Sequence, residues 1–293
     1  MKILIHTYDT AFQNKAGGVH NRIERTVSAL RSAGLTVEYF DKYNTNITDY
    51  DILHVFKLDP STNALINYAY SKGLKIVVST IMTIEKGKLV DIYWLLRKMP
   101  ISTIYKQVFE ICSKTHSFIV ETPKEKKFMS RYYHIPSESI HVIPNGSDNI
   151  SEKNDLIYER IGKKCDYAIV VARFDKNKNQ INVIRALKNS NLNVVFVGGP
   201  DASNEDYYNA CVKEAGDADN IHFLGWFHSQ DPLLKSALGN AKAIVCPSYH
   251  ETFGLSIIEG AMAGAIPVIS KTLPICEFDA FKECLTFDPD NIS

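Results

Sequence analysis

Residues 246–260 read Cys-Pro-Ser-Tyr-His-Glu-Thr-Phe-Gly-Leu-Ser-Ile-Ile-Glu-Gly. An apolar run over 243–246 stops at Pro247, a tight polar loop carries Glu251, and a helix is expected over 254–263. That strand–loop–helix step is the unit of an α/β fold built on parallel sheets. Backbone N–H groups at such a helix start make an anion site, and Gly254 lets a ligand approach the backbone. A diphosphate seated there leaves Glu251, before the helix, and Glu259, two turns into it, to read sugar hydroxyls on either side. The plainer reading makes Glu251 an electrostatic cap worth about 0.3–1 kcal/mol and leaves Glu259 in solvent. Ile257, Ile258, Ala261 and Met262 flank Glu259, a poor setting for an idle carboxylate.

The same βα rhythm extends both ways. Val- and Ile-rich runs predict strands over 2–6, 36–40, 51–56, 74–80 and 117–121. Others follow over 167–173, 192–197, 221–224, 243–246 and 266–269. Helix-length segments lie between them, over 19–33, 63–72, 122–133, 179–189, 205–214 and 231–239. The turn cluster Ile143-Pro144-Asn145-Gly146, followed by the polar run 147–155, marks a boundary. It divides the chain into a domain over 1–150 and a second over 151–293. Both are Rossmann-like, and two such domains facing each other place the ligand site in the cleft, beyond the carboxyl ends of their strands.

Composition narrows the class. The 293 residues carry 33 basic and 33 acidic side chains, which excludes a broadly basic, nucleic-acid-coating protein. The six cysteines show no CxxC and no disulfide spacing, and the first residues are broken by His6 and Asp9 too early for a signal peptide. These features fit a reduced, cytoplasmic protein. Between Arg97 and Arg131 lie eight basic residues against three glutamates. That excess reads either as solvated helix faces or as peripheral contact of residues 97–131 with an anionic membrane at its inner face.

With these residues quoted, a resemblance is plain. Pro247-Ser248, Glu251, Phe253-Gly254, Glu259, Ala261-Met262-Ala263, Gly264, Pro267-Val268 and Ser270 resemble, in order and spacing, the signature of retaining GT-B glycosyltransferases of the family 4 type. Val171-Ala172-Arg173 with Lys178-Asn179 resembles the family's strand-end arginine followed by lysine. Phe196-Val197-Gly198-Gly199 and Phe223-Leu224-Gly225 agree, and Gly17-Gly18-Val19 is similar to the family's glycine loop. The likeness is tight over 165–275 and loose over 1–140.

The resemblance implies a GT-B architecture and a metal-independent hexosyltransferase. Its co-substrate is a nucleotide-diphosphate sugar of UDP or GDP type, with no other cofactor. The acceptor is a sugar, a lipid-linked sugar or a protein, in polysaccharide or glycolipid synthesis. It implies that Arg173 and Lys178 hold the diphosphate, that Glu259 bonds the ribose, and that Glu251 with the amides of Thr252, Phe253, Gly254 and Leu255 orients the sugar. Gly17 and Gly18 approach the diphosphate from the first domain, and the nucleobase lies near Trp226. No protein nucleophile is implied; the leaving phosphate helps deprotonate the acceptor.

Two departures stand out. Met82 occupies the place where the family often has a donor-touching histidine. Family chains also continue past the position of Ser293, so the second domain is expected to be C-terminally shortened. Asp217-Ala218-Asp219 falls in a polar loop rather than at a strand end, and no zinc-ligand spacing, GxGxxG or P-loop occurs. The rival readings are a nucleotide-sugar epimerase, which needs acid–base carboxylates in the first domain, and a non-catalytic nucleotide-sugar-binding module.

Overall fold

The computed structural model describes residues 1–12, 18–82, 87–98, 100, 103–147, 151–228 and 230–291. They form two compact units, Met1–Asn145 and Gly146–Ser293.

The first unit runs β1 (Lys2–Thr7), α1 (Gly18–Ser32), β2 (Thr36–Tyr39), β3 (Ile52–Phe56), α2 (Asn63–Ser71), β4 (Lys75–Ser79) and α3 (Gly87–Leu96). It continues with α4 (Ile104–Lys114), β5 (Ser117–Val120), α5 (Pro123–Tyr132) and β6 (Ile140–Val142). Its sheet has the order β2-β1-β3-β4-β5-β6, and every pairing is parallel. Parallel strands are covered on both faces, so they read as unbroken apolar runs. Leu4, Leu53, Val55, Ile76 and Val78 are accordingly free of solvent. Thr103 and Thr122 start α4 and α5 by accepting the amide protons of Lys106 and Glu125.

The second unit runs α6 (Leu156–Ile161), β7 (Tyr167–Val171), α7 (Gln180–Leu187), β8 (Asn193–Val197), α8 (Glu205–Ala215) and β9 (Ile221–Phe223). Then come α9 (Pro232–Asn240), β10 (Ala243–Cys246), α10 (Leu255–Met262), β11 (Ile266–Ser270) and β12 (Leu285–Phe287). The order is β12-β11-β10-β7-β8-β9, again all parallel. Sequential strands step outward from β7 in one direction and resume from β10 in the other. The switch point therefore lies between the carboxyl ends of β7 and β10, where open α/β sheets bind ligands. The corresponding point of the first unit lies between β1 and β3.

Every strand and helix expected from the sequence is present, most with ends one or two residues shorter. Five elements, α3, α4, β6, α6 and β12, were not assigned from the sequence. The polar run after Gly146 is also more than a connection. Glu152 donates its amide to the Lys235 carbonyl, and the Asn154 carbonyl accepts from Ser236 and Asn240, so this stretch lies along α9. Among the described residues no helix is long and apolar enough to cross a membrane.

Candidate functional site

At the switch point of the second unit, two loops are stitched together. The loop after β7 carries Arg173 and Lys178; the loop after β10 carries Glu251. Asn177 joins them, donating its side-chain amide to the His250 carbonyl at 2.8 Å and accepting the His250 amide at 3.0 Å. The Tyr249 amide adds a bond to the Asn177 carbonyl at 2.8 Å. Asp175 accepts the Lys178 amide and closes a short 3-10 turn over Lys176–Lys178. Gln180, fully buried at the head of α7, donates to the Arg173 carbonyl at 2.8 Å.

The charged groups meet within this frame. The Lys178 ammonium lies 2.5 Å from Glu251 Oε1, which also accepts from the Ser248 hydroxyl at 2.7 Å. Arg173 is half exposed and bridges Asp175 and Asp201, at 3.0 and 3.1 Å. Glu259, partly buried on α10, accepts from the Ser147 hydroxyl at 3.2 Å. Cys246 also neighbours Glu251, but burial and then the Glu251 charge push its thiol up to about 11, so it is no nucleophile at neutral pH.

Gly254 precedes α10 with φ of 98°, a left-handed conformation, and a Cβ there would sit 2.7 Å from Ile257 Cδ1. Only glycine turns the chain into α10 at that point without strain. Phe253 is buried edge-on against Phe278, anchoring the loop, while Thr252 and Leu255 are partly exposed around the helix start. No side-chain hydrogen bond caps α10 at Gly254, and the Ile257 amide turns back to the Gly254 carbonyl at 3.0 Å. A helix start without a side-chain cap is the kind of end that attracts anions.

On the other side of Arg173, Gly198 and Gly225 pair as an antiparallel bridge beyond β8 and β9. Gly198 is obligatory: a Cβ would lie 2.1 Å from the Ala172 carbonyl oxygen. Trp226 covers Gly199, donates its indole N–H to the Pro200 carbonyl at 3.3 Å and remains 53% exposed. It is a large open ring surface beside Arg173's partner loop. The structure thus brings Arg173, Lys178, Glu251, Thr252, Phe253, Gly254, Leu255 and Trp226 to the carboxyl end of one sheet, with Glu259 a turn farther along α10. Sequence reasoning missed Asp175, Asn177, Asp201 and Ser147, which hold them, and gave Ser248, within the quoted signature, no role. Only Asp175, three residues before Lys178, carries a local capping signal.

In the first unit, Gly18 opens α1, and Gly17 lies outside the described residues. Met82 packs partly buried against the core. A cavity of about 500 Å³ opens beside the strand ends of β1 and β2, lined by His6, Asp9, Phe12, Glu24, Tyr39 and Phe40 among others. Beyond β5, the carboxylate of buried Glu121 pairs with Arg22 of α1 and accepts from Asn145 at 2.9 Å. Glu125, also buried, accepts from Thr80 and from the Glu121 amide. Asp217 and Asp219 lie ahead of β9, at the amino end of the sheet and away from the site. Among the described residues no cluster of three His, Cys, Asp or Glu side chains could hold a metal ion.

The chain is similar to several known proteins. Residues 153–283 match the family model described as glycosyl transferases group 1. An uncharacterized glycosyltransferase of Methanocaldococcus jannaschii is 27% identical over 178 residues, 56% of this chain and 43% of that protein. The GDP-mannose:cellobiosyl-diphosphopolyprenol alpha-mannosyltransferase of Komagataeibacter xylinus is 26% identical over 106 residues, 36% of this chain and 26% of the relative. The matched stretches thus span less than half the length of these relatives. HepE of Anabaena, solved in complex with UDP, superposes with a TM-score of 0.75 over all of this chain and 87% of its own, at 15% identity. The fold is the two-domain α/β fold of GT-B proteins.

Proposed function

We propose that this chain is a retaining, metal-independent glycosyltransferase. It moves a hexose from a nucleotide-diphosphate sugar, of UDP or GDP type, to an acceptor hydroxyl in polysaccharide or glycolipid synthesis. The observation that carries the reading is the convergence of Arg173, Lys178 and the uncapped start of α10 at the switch point between β7 and β10. Three positive elements at one strand-end crevice suit a diphosphate.

In this reading Arg173 and Lys178 neutralise the diphosphate and stabilise the charge that builds as the glycosidic bond to phosphate breaks. Glu259 accepts the ribose hydroxyls, with Ser147 fixing its carboxylate. Glu251, steered by Ser248 and Lys178, orients the sugar with the amides of 252–255. Trp226 offers the base a stacking surface. The acceptor hydroxyl attacks the anomeric carbon from the face the diphosphate leaves, and its proton passes to the departing phosphate oxygen. Gly17 and Gly18 of the first domain are assigned to the diphosphate by the resemblance alone. The acceptor, a sugar, lipid-linked sugar or protein, occupies that domain, where the aromatic rings and carboxylates of the β1–β2 cavity suit a sugar ring.

The epimerase alternative needs working carboxylates in the first unit. Glu121 and Glu125 stand near the strand ends there, but they are 2% and 3% exposed and tied to Arg22, Asn145 and Thr80. Incubation with UDP- and GDP-hexoses plus sugar and lipid-linked acceptors decides among the readings. A product with the donor's anomeric configuration supports transfer, an isomerised nucleotide sugar supports epimerisation, and binding without turnover supports a binding module.

A further inference from the structure

Helix α3 reads Gly-Lys-Leu-Val-Asp-Ile-Tyr-Trp-Leu-Leu, apolar or aromatic at seven of ten positions. One side is used within the first unit. Val90 is buried, Tyr93 stacks on Tyr105 with ring centres 4.2 Å apart, and Trp94 meets Phe109 edge-on at 5.1 Å. The other side has no such use. Leu89, Ile92, Leu95 and Leu96 are 44%, 52%, 76% and 44% exposed, and they share an arc of about 120° on the helical wheel. Ile104, beside Tyr105 at the start of α4, is 68% exposed. Four large apolar side chains on one helical face differ from the scattered ones that need no explanation.

Charge identifies what suits this stripe. Exposed Lys98 follows α3, and α5, which packs against α3, exposes Lys127 and Arg131 four residues apart on one face. Of the acidic residues from α3 to α5, Glu121 and Glu125 are buried, Glu110 is half-buried and accepts from Asn63, and Asp91 of α3 is half-buried. Among the described residues, the exposed charged ones from α3 to α5, Lys98, Lys124, Lys127 and Arg131, are all basic. A second copy of the chain would bring like charges together around the apolar stripe. An anionic lipid surface complements both the apolar residues and the cations.

We propose that α3, with Ile104 and the flanking Lys98, Lys127 and Arg131, is a docking surface for anionic membranes. Ile92 and Leu95 enter the headgroup boundary, and the cations meet lipid phosphates. The residues 97–131 singled out by composition supply the charge, and the helix just before them supplies the insertion. This inference does not depend on the glycosyl-transfer reading.

The test is co-sedimentation of the whole chain with vesicles rich in phosphatidylglycerol and with vesicles of phosphatidylcholine alone. Binding should favour the anionic vesicles and weaken as salt rises, because screening shortens the reach of the cations. The double variant Ile92→Asp/Leu95→Asp should lose binding by about tenfold or more. Lys127→Glu/Arg131→Glu should lose roughly fivefold or more for each basic residue removed. Thermal unfolding checks that each variant folds, and Leu95→Ser decides if the aspartates unfold the chain. No wild-type binding to anionic vesicles, or binding indifferent to these substitutions, overturns the proposal. A dimer that Leu95→Ser dissociates, without vesicle binding, also overturns it and assigns the face to a second copy.

Discussion

The ammonium of Lys178 and the carboxylate of Glu251 lie 2.5 Å apart, although 73 residues separate them in the chain. The side chains expected to hold the diphosphate and the sugar are thus each other's partners before any donor arrives. Both are mostly buried, at 20% and 16% exposure. Removing one leaves the other with an unmet charge.

Lys178→Met should therefore weaken donor binding and also lower folding stability, by about 1–3 kcal/mol for the deserted carboxylate. Arg173→Ala separates the two effects. Arg173 is 48% exposed, and its loss should leave stability within about 0.5 kcal/mol. Donor affinity and turnover should fall together, with a rate loss of about tenfold to a hundredfold, because the contact strengthens as charge builds on the leaving group. Denaturant melts alongside steady-state kinetics check both; an unchanged rate in Arg173→Ala places the diphosphate elsewhere.

Glu125 sets a pH dependence of stability. Burial, the largest cause, moves its carboxyl from an ordinary 4.5 up to about 7; bonds from Thr80 and the Glu121 amide and the charge of Arg22 pull it down, and the Glu121 charge pushes it up. The folded protein then holds a proton that the unfolded chain gives up between about pH 4.5 and 7. That contribution is full below the unfolded value and is lost as pH rises through the folded one. Glu125→Gln mimics the protonated form, with its amide toward the Thr80 oxygen and its carbonyl accepting the Glu121 amide. Melting curves from pH 5 to 8 should show the variant gaining on the parent toward pH 8 and level with it near pH 5.

Much of this fold is legible in the chain because parallel strands are apolar runs and their helices are amphipathic. The strand over 243–246 and the turn into α10 are read directly from Ile244, Val245, Pro247 and Gly254. Helix α3 escapes because its residues are apolar almost all round and give no 3.6-residue alternation. Strand β12 is three residues long and depends on pairing with β11. Within the site, the residue types at the strand ends are legible, but their partnerships are not. Ser147 and Glu259 are 112 residues apart, and no local pattern announces their bond.

Turnover should not require a divalent ion. Arg173, Lys178 and the start of α10 supply the positive charge, and Asp217 and Asp219 lie at the wrong end of the sheet. Excess EDTA should leave the rate intact. Complete loss restored by Mn²⁺ would overturn this assignment.

The site itself is tested most directly by calorimetric titration of UDP and GDP into the parent chain, Glu259→Gln and Glu251→Gln. The bare nucleotide contains the ribose that Glu259 is proposed to bond but lacks the sugar that Glu251 is proposed to orient. Glu259→Gln should weaken the preferred nucleotide about tenfold or more, as loss of a charged hydrogen bond does. Glu251→Gln should not weaken it, since losing the carboxylate charge leaves Lys178 more available to the diphosphate. Equal weakening in both variants would contradict the division of labour, and no effect in either would remove the nucleotide from this end of the sheet.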